Sequence, residues 1–387
     1  MVSKIKACSQ GFLKKHVLDE GLCTGCGACV NLCPYQVIYH DRTVHLHNCD
    51  LEDGQCYAFC PRTATDLDAL RALLFEQADL TPEIGAVKCY YFSQAIDPGV
   101  RSIAQHGATI TALLELALAE HLIDSAIVSS RDQESAWADG SIVNNKIGTR
   151  KNAGSKFTVS PTVAAFNQLV TKDAGNVGVV ATPCQALALA KMKLNGANDI
   201  TNKINQLKLV IGLYCGWTLS AEKYTKLLLE KNIVPESITG IDIPPGRNIL
   251  EIYTNDGAKS LSLDEVQGFI REACHYCMDS TAEFADISVG SARFAGDWEK
   301  VRKWNQLIVR TKKGKELVDL AVNKGILKVQ EAPAESLNEL KAAAVNKKKN
   351  ALKNIIRKSG SVKNLLYLDG RDPAVKKYLG VEKKSKK

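Results

Sequence analysis

The stretch CTGCGACVNLCP, residues 23–34, spaces its cysteines as C-x2-C-x2-C-x3-C-P. This spacing is typical of bacterial ferredoxins, in which such a run ligates 4Fe-4S clusters. In a two-cluster module the fourth cysteine binds the other cluster, so the run predicts a partner run in the same chain. The cysteines of the first run are Cys23, Cys26, Cys29 and Cys33.

The partner run is CDLEDGQCYAFCP, residues 49–61, and it is one ligand short. It offers Cys49, Cys56 and Cys60, whereas the usual spacing counted back from Cys60 places a cysteine where Asp53 stands. The crossed pattern of a two-cluster module predicts that one cluster binds Cys23, Cys26, Cys29 and Cys60. The other cluster is predicted to bind Cys33, Cys49 and Cys56.

The fourth ligand of this second cluster has three candidates, namely Asp53, Cys8 and solvent. A carboxylate can replace a thiolate on iron, but it is a harder ligand that binds less tightly and leaves that corner of the cluster labile. The alternative for Asp53 is a structural role, because aspartate commonly caps a tight turn, here before Gly54.

Length and composition indicate a protein with a folded interior. The chain has 387 residues, 45% of them apolar, which predicts two or three domains. No apolar stretch approaches the roughly 20 residues of a membrane helix, and residues 1–16 lack the apolar segment of a signal peptide. We therefore expect a cytoplasmic protein without a membrane span. In a reducing compartment its thirteen cysteines favour metal ligation over disulfides.

The net charge of +8 is concentrated near the C-terminus. Residues 346–358 are NKKKNALKNIIRK, and the chain ends in VEKKSKK. A solvated helix with a frayed tail explains this charge, and docking on an acidic partner subunit is the alternative. Because no nucleic-acid-binding motif accompanies the lysines, the sequence argues against a nucleic-acid partner.

The pattern along the chain predicts four segments. Residues 15–65 form a ferredoxin-type module with little room for a core, so bound metal would hold it together. Residues 66–87 form a linker helix broken at Pro82, and residues 88–335 alternate helices with strands. Residues 336–387 form a basic helical C-terminal tail. The fold class is α/β, or mixed α+β, because residues 238–263 interrupt the alternation with short hairpin strands.

A second set of cysteines is scattered through the α/β segment. Cys184 and Cys215 each follow a buried strand, and open α/β sheets place their functional loops at the carboxyl ends of strands. Cys274 and Cys277 form a C-x2-C pair in REACHYCMD. The alternatives are ordinary buried thiols and, for the pair, half of a zinc site.

Residues from about 88 to 345 resemble the coenzyme F420 hydrogenase/dehydrogenase beta subunit family. This family includes the beta subunits of F420-reducing hydrogenase and F420-dependent formate dehydrogenase, the F420H2 dehydrogenase input subunit and the plant 7-hydroxymethyl chlorophyll reductase. The stretches that carry the resemblance are AQHGATITALLELALAEHLIDSAIV, AGSKFTVSPTV, VVATPCQALALAKM, LVIGLYC, CHYCMD and FADISVGS. The resemblance implies an FAD-binding α/β domain over residues 88–335, with a third 4Fe-4S cluster on Cys184, Cys215, Cys274 and Cys277.

Two stretches are implied to contact FAD. In QHGATIT the resemblance gives this role to Gln105, Gly107 and Thr111. In GSKFTVSP, just before a helix start, it gives this role to Gly154, Ser155, Lys156, Phe157, Ser160 and Pro161. A pyrophosphate binds well to backbone N–H groups at a helix start, and a lysine can neutralise its charge. The alternative for each residue is an ordinary cap or turn.

The chain departs from the family around the expected substrate site. It has His106, Gly107 and Ala108 where many relatives have an acidic residue and paired glycines. It also inserts charged residues before Trp304, and these are Arg293, Lys300, Arg302 and Lys303. They would bind an acidic coenzyme tail or a protein, or would face water. These departures argue against assigning F420 as the substrate from the family resemblance alone.

Three function classes follow from these features. In the first, the chain is an oxidoreductase subunit that exchanges hydride between coenzyme F420, or another hydride carrier, and FAD, and passes single electrons through three 4Fe-4S clusters. Its redox partner subunit would be of the formate dehydrogenase, hydrogenase or heterodisulfide-reductase type. In the second, it is a connector whose flavin has no small-molecule substrate. In the third, it is a zinc-stapled interaction protein. Cys8 and Cys89 remain outside the main ligand sets.

Overall fold

A computed structural model describes residues 9–131, 137–196, 203–244, 246–293 and 301–384. Two residues considered above, Cys8 and Lys300, lie outside this range. The described residues form an N-terminal cysteine-rich segment, a large mixed sheet with helices on both faces, a small antiparallel sheet and a C-terminal pair of helices.

The cysteine-rich segment contains little regular structure. Helix α1 (Gln10–Leu13) continues into a π-turn, strands β1 (Gln36–Tyr39) and β2 (Arg42–His45) pair antiparallel, and helix α2 (Gln55–Ala58) precedes the last cysteine of the segment. Four of its seven cysteines are buried, whereas the tyrosine at the end of β1 is exposed. The interior of this segment is thus lined by sulfur, as expected for a segment held together by metal.

The linker differs from the prediction. Helix α3 (Leu67–Leu74), capped by the Asp66 carboxylate, is correctly predicted, but the helix does not extend to residue 87. Phe75 is extended, and a 3₁₀ turn leads into a small hairpin of β3 (Leu80–Thr81) and β4 (Gly85–Ala86). The fully buried Arg310 donates from one nitrogen to the carbonyls of Ile84 and Ala86, both at 2.7 Å, and so favours hairpin over helix.

The large sheet has the strand order β15-β5-β14-β13-β9-β8-β6-β7. Its strands are β5 (Cys89–Ala95), β6 (Ser125–Arg131), β7 (Ala138–Val143), β8 (Val177–Ala181), β9 (Leu207–Leu213), β13 (Ile287–Ser291), β14 (Asn305–Val309) and β15 (Leu327–Glu331). Strands β13, β9, β8 and β6 are parallel, and the flanking strands pair antiparallel. This is the mixed α/β architecture expected from the sequence. The parallel centre brings the carboxyl ends of β8 and β9 to one edge.

Helices cover both faces of the large sheet. In chain order up to the small sheet they are α4 (Pro98–Ser102), α5 (Thr109–Ala119), α6 (Lys146–Lys151), α7 (Thr162–Val170) and α8 (Pro183–Gly196), and α11 (Lys312–Asn323) follows β14. Apolar residues of α5 and α11 pack on one face. Helices α7 and α8 pack on the other face, and their core also takes in the cysteine-rich segment and α3.

The predicted hairpin region forms a separate three-stranded antiparallel sheet. Its strands are β10 (Ile238–Asp242), β11 (Ile249–Thr254) and β12 (Gly257–Ser262), in the order β10-β11-β12. Helices α9 (Ala221–Glu230) and α10 (Leu263–Gln267) contribute to the same core. The hairpin prediction around the Asn-Asp-Gly turn is confirmed by the pairing of Thr254 with Gly257.

The C-terminal helices are α12 (Ala334–Ser359) and α13 (Pro373–Lys384). The interpretation of the basic region as a solvated helix with a frayed tail is wrong for much of its length. Apolar residues such as Leu352 and Ile355 pack against the cysteine-rich segment, and Lys348 is only 3% exposed because it pairs with the buried Glu283. Among the described residues, no helix is long and apolar enough to span a membrane.

Candidate redox site

Four cysteines of the N-terminal segment form what we call the inner set, Cys23, Cys26, Cys29 and Cys60. The structure places the charges of Cys23 and Cys60 close to Cys29, and that of Cys60 close to Cys26. The hydroxyl of Thr43 lies 3.2 Å from the Cys29 Sγ, and its N–H donates to the Cys23 Sγ at 3.4 Å. Hydrogen bonds to sulfur of this kind accompany iron-sulfur clusters.

Burial raises the pKa of three of these thiols, Cys26, Cys29 and Cys60, and that of Cys60 rises to about 11. A thiol with so high a pKa remains protonated at neutral pH unless a metal ion compensates the charge of the thiolate. The chemistry of this donor set therefore fits a cluster site.

The outer set consists of Cys33, Cys49 and Cys56. Burial raises the pKa of Cys56, and the nearby Cys33 and Cys49 raise it further. The N–H of Cys49 donates to the buried Gln10 side chain at 3.0 Å, which ties this set to α1. The side chain of Asp53 is exposed on a bend. The structure thus groups the three predicted thiols and leaves Asp53, one of the three candidates for the fourth ligand, at the surface.

The sheet set consists of Cys184, Cys215, Cys274 and Cys277. Cys184 is the second residue of α8, directly after β8, and Cys215 follows β9. The other two lie at the 3₁₀ turn Glu272–Tyr276. The charges of Cys274 and Cys277 act on Cys184, and those of all three act on Cys215, so the four thiols share one site. The Thr218 N–H donates to the Cys274 Sγ at 3.4 Å.

In the part of the chain that the structure describes, no three His, Cys, Asp or Glu side chains are arranged to hold a single metal ion. A 4Fe-4S cluster makes a different demand, since each thiolate binds its own iron at a separate corner. The three cysteine sets therefore suit clusters better than single metal ions.

The inner set and the sheet set are neighbours. The charge of Cys184 acts on the Cys26 thiol, and the Cys26 carbonyl accepts a hydrogen bond from the Val163 N–H at the start of α7. At Gly27, with φ +81°, a Cβ would lie 2.6 Å from the Ala164 Cβ. Helix α7 thus locks the cysteine-rich segment against the sheet, directly beside the sheet set.

Three buried or largely buried cations surround these thiols. Lys191 on α8, 2% exposed, donates to the Cys60 carbonyl at 2.7 Å. Lys347 on α12 donates to the Cys215 carbonyl at 2.7 Å, and Arg62, 5% exposed, donates its backbone N–H to the Cys60 Sγ at 3.4 Å. The sequence analysis did not identify these residues. A signal was present only for Arg62, which follows the terminal Cys-Pro of the ferredoxin run.

The two stretches implied to contact FAD meet in space. The Gln105 side chain accepts hydrogen bonds from the Ser155 N–H at 3.0 Å and hydroxyl at 2.5 Å, and donates to the Ile241 carbonyl and Asp242 carboxylate, both at 2.8 Å. Gly154 has φ +85°, and no atom lies within 4 Å of a Cβ built there, so its backbone is open.

Lys156 and Arg131 form a pair of cations beside this loop. The Lys156 Nζ donates to the carbonyls of Asn152 and Ala153 at 3.3 and 3.0 Å. Burial, with a smaller contribution from the charge of Arg131, lowers the pKa of Lys156 to about 8. Burial also lowers the pKa of Arg131, whose guanidinium donates to the Ile238 carbonyl at 2.7 Å. No ion pair to either cation forms within the described residues.

Other residues of the two stretches have structural contacts. The Thr162 N–H after Pro161 donates to the Ser160 carbonyl at 2.9 Å, and the Val163 N–H donates to the Cys26 carbonyl at 3.2 Å. Protein groups therefore already occupy the N–H groups at the start of α7. Gly107 lies so close to β5 and β14 that a Cβ would be 2.5 Å from the Ser93 carbonyl oxygen. Thr111 is buried within α5.

Phe157 connects the loop to the sheet set. Its φ is +58°, its carbonyl accepts from the Leu219 N–H at 2.8 Å, and its ring lies 5.8 Å from that of Trp217. The Trp217 carbonyl in turn accepts from the Cys215 Sγ at 3.6 Å. A short chain of side-chain and backbone contacts therefore connects the Gly154–Phe157 loop to the sheet set.

The departures from the family pattern surround the same loop. His106 and Ala108 both have left-handed backbone conformations, with φ +54° and +57°. The His106 ring lies 3.2 Å from the Arg302 carbonyl and 3.8 Å from the Asp242 carboxylate. Of the other inserted charges, Arg293 and Lys303 are exposed.

The fold and the N-terminal motif define a mixed α/β protein with a ferredoxin-type 4Fe-4S segment. Residues 16–39 match the 4Fe-4S binding domain, residues 90–167 the coenzyme F420 hydrogenase/dehydrogenase beta subunit N-terminal domain, and residues 174–335 its C-terminal domain. The chain belongs to the coenzyme F420 hydrogenase/dehydrogenase beta subunit family, which confirms the resemblance found in the sequence.

Curated relatives agree with this assignment. The chain is 29% identical over 278 residues to coenzyme F420 hydrogenase subunit beta of Methanothermobacter thermautotrophicus, covering 70% of this chain and 95% of that protein. It is 28% identical over 341 residues to coenzyme F420-dependent sulfite reductase of Methanocaldococcus jannaschii, covering 84% of this chain but 50% of that protein. At the level of the family, the chain is an oxidoreductase.

A solved structure shares the fold. A chain of the F420-reducing [NiFe] hydrogenase complex from Methanosarcina barkeri superposes with a TM-score of 0.65 at 23% identity, covering 73% of this chain and 96% of that chain. The large mixed sheet is therefore an architecture already seen in that complex.

Proposed function

We propose that this chain is an iron-sulfur flavoprotein subunit that exchanges hydride between a soluble carrier and FAD and passes electrons singly through three 4Fe-4S clusters to or from a partner subunit. FAD supplies the conversion between two-electron hydride chemistry and one-electron transfer, and the clusters supply the conducting path. The protein's contribution is to bind these groups in order and to hold them at fixed separations.

The observation that carries this proposal is the convergence of eleven cysteines into three adjacent sets. The members of the sheet set come from positions as far apart as Cys184 and Cys277, yet their thiols act on one another. Grouping does not stabilise free buried thiols, because a negative charge on one of them raises the pKa of its neighbours. The arrangement makes chemical sense when each set holds a cluster.

The charge of Lys156 and Arg131 supports an anionic cofactor beside the Gly154 backbone. Burial, and to a smaller extent the neighbouring charge of Arg131, lowers the pKa of Lys156 and so disfavours its charged form. A pyrophosphate bound next to them would restore the ordinary preference for the charged form of both. We assign these two residues to the FAD phosphates, and Gln105 to holding the loop of Ser155 in place.

The arrangement of the sets gives the order in which electrons pass between the groups, whichever way they flow. The Phe157–Trp217 contact supports a sheet set nearest to the proposed flavin, and the proximity of Cys184 to Cys26 supports the inner set as the next group. Cys56 within α2 and Cys60 just after this helix then connect the outer set to the inner set. The outer set, with its partly exposed Cys33 and Cys49, is where we expect the partner subunit to exchange electrons.

The relatives' names favour coenzyme F420 as the hydride carrier. Hydride transfer requires the carrier and the flavin to be stacked closely in a fixed orientation. In this chain the left-handed His106 and the Arg302 segment border the Ser155 loop, so they are in a position to select the carrier. A connector without a small-molecule substrate is the alternative, and carrier-dependent bleaching of the flavin decides between the two.

The test is anaerobic purification followed by cofactor analysis and reduction. We expect one FAD and about twelve irons per chain, the number in three 4Fe-4S clusters, and bleaching of the flavin by reduced F420. Iron near four per chain in a fully reconstituted sample would contradict the proposal. If reduced F420 does not bleach the flavin but NADH or a partner protein bleaches it rapidly, F420 is not the carrier and the faster reductant takes its place.

Cys184→Ala tests the order of the groups. The variant is expected to bind FAD as the parent does, to lose about four irons, and to transfer electrons from reduced flavin to the remaining clusters much more slowly. Cys89→Ala is the matched control, because Cys89 lies on β5 outside the three sets. Transfer at the parental rate in Cys184→Ala would show that the sheet set is not on the path.

A further inference from the structure

Arg62 belongs to the cysteine-rich segment but extends its side chain toward the sheet set. Its backbone N–H donates to the Cys60 Sγ of the inner set. Its side chain lines a cavity of about 70 Å³ together with Cys184 and Cys277 of the sheet set. The charges of the Cys277 and Cys184 thiols act on the guanidinium, so it lies beside the sheet set. One residue thus lies between both sets.

The guanidinium is fixed from several sides. It donates to the Tyr367 hydroxyl and, at 3.0 Å, to the Ala273 carbonyl, and its central carbon lies 4.6 Å from the centre of the Tyr367 ring. The Tyr367 hydroxyl in turn donates to the Tyr276 carbonyl at 2.6 Å. The Nε–H has no hydrogen-bond partner among the described residues. No carboxylate of the described residues forms an ion pair with Arg62, so its charge is not neutralised by a neighbouring acid.

We propose that Arg62 raises the reduction potential of the cluster held by the sheet set and thereby makes that cluster a better acceptor of electrons from the flavin. A cluster gains one negative charge when it is reduced, and a fixed cation close to the ligand sulfurs stabilises the reduced form. The effect is large in a buried site because few waters screen the charge. This inference rests on the cluster assignment proposed above.

The position of Arg62 also makes the effect unequal between clusters. Its charged group lines the cavity beside Cys184 and Cys277 of the sheet set, whereas the inner set receives a backbone N–H. When an electron moves onward, the sheet-set cluster is oxidised and the inner-set cluster is reduced. Loss of the guanidinium should therefore lower the potential of the sheet-set cluster most, that of the inner-set cluster less, and that of the outer-set cluster least.

The test is a redox titration of the full-length, cluster-loaded protein, followed by electron paramagnetic resonance so that the three clusters are resolved. In Arg62→Gln the sheet-set potential is expected to fall by about 60 mV or more, which is about tenfold in the one-electron equilibrium constant. Arg62→Lys keeps the charge without the planar donor group, so it should recover part of the shift.

The double variant Arg71→Gln/Asp372→Asn is the matched control. Arg71 and Asp372 line the same cavity as an ion pair at 2.6 Å, so replacing both leaves the net charge of the cavity unchanged. The double variant should shift the sheet-set potential much less than Arg62→Gln does. An equal shift in the two variants, or an equal shift of all three clusters in Arg62→Gln, would overturn the inference.

Tyr367→Phe keeps the inference testable if Arg62→Gln does not fold. It removes the hydroxyl that holds the guanidinium and should lower the same potential in the same direction. Parental potentials in every folded variant would refute a role for Arg62 while leaving the cluster assignment intact. A parent protein that lacks a cluster at the sheet set would instead refute the proposed function.

Discussion

Replacing Lys156 with methionine separates flavin binding from a purely structural role of this lysine. A lysine whose pKa falls from 10.5 to about 8 carries roughly 3 kcal/mol of unfavourable free energy in its charged form, at about 1.36 kcal/mol per pKa unit. Burial is the main cause, and the charge of Arg131 adds to it. Lys156→Met removes the charge but keeps the apolar stem, so the flavin-free protein should gain up to about 3 kcal/mol in the free energy of unfolding at pH 7.

The pH dependence of this effect has a definite sign. The pKa of Lys156 is lower in the folded chain than in the unfolded chain, so the unfolded chain binds more protons between about pH 8 and pH 10.5. The free energy of unfolding of the flavin-free parent should therefore rise across this window. Below about pH 8 the lysine is charged in both states and the full penalty remains. In Lys156→Met this contribution to the pH dependence is absent.

FAD binding should respond in the opposite direction to stability. A hydrogen bond to a charged group contributes about 1.5–3 kcal/mol, so Lys156→Met should weaken FAD binding by roughly 10- to 100-fold. The assay is flavin titration of the cluster-loaded, flavin-free protein, with thermal unfolding measured at pH 7 and pH 10. Lys151→Met, at an exposed position on α6, is the control. Parental FAD affinity, or a destabilised flavin-free protein, would refute the reasoning.

Three further predictions concern the metal sites and the packing that holds them. If the Asp53 carboxylate is the fourth ligand of the outer-set cluster, Asp53→Asn should lose iron faster than the parent under mild oxidation. An equal rate in an iron-release assay would reject carboxylate ligation. Gly27→Ala should lower the free energy of unfolding by roughly 2–5 kcal/mol, from the left-handed backbone and overlap with α7, whereas Gly360→Ala, where the added Cβ has open space, should cost only about 1–2 kcal/mol. Lys348→Met should destabilise by about 3–5 kcal/mol in denaturant titrations because it leaves Glu283 buried without its cation, and Glu283→Gln in the same chain should restore much of the loss.

The fold of the sheet could be predicted because its elements have strong local patterns. The predicted alternation of helices and strands is seen in α5 followed by β6, and the strands predicted before Cys184 and Cys215 are the buried parallel strands β8 and β9. The linker was predicted less well, because its conformation after Leu74 depends on Arg310, a residue more than 200 positions away. Periodicity within a window cannot detect such a contact.

The cysteine sets could be predicted from spacing and family resemblance, but the charges around them could not. Lysines in a helix usually indicate a solvated face, and the KKK run of α12 was interpreted in that way. In the structure Lys347 and Lys348 point inward, because the loops that carry Cys215 and Glu283 present a carbonyl and a carboxylate to them. The partners come from other segments, so only the tertiary structure reveals the role of these lysines.

The buried cations connect cluster binding to the packing of the C-terminal helices. Lys191 is 2% exposed and has a pKa lowered to about 8, mainly by burial, and the thiols of Cys60 and Cys26 raise it in part. Lys347 is held in its charged form because the sheet-set thiols outweigh the effect of its burial. Negative charge at the cysteine sets therefore favours the burial of charged Lys347 and offsets part of the cost of burying charged Lys191. Since Lys347 lies on α12, the closure of this helix over the sheet set depends on the charge of the site beneath it, and cluster loading and C-terminal packing should be thermodynamically coupled.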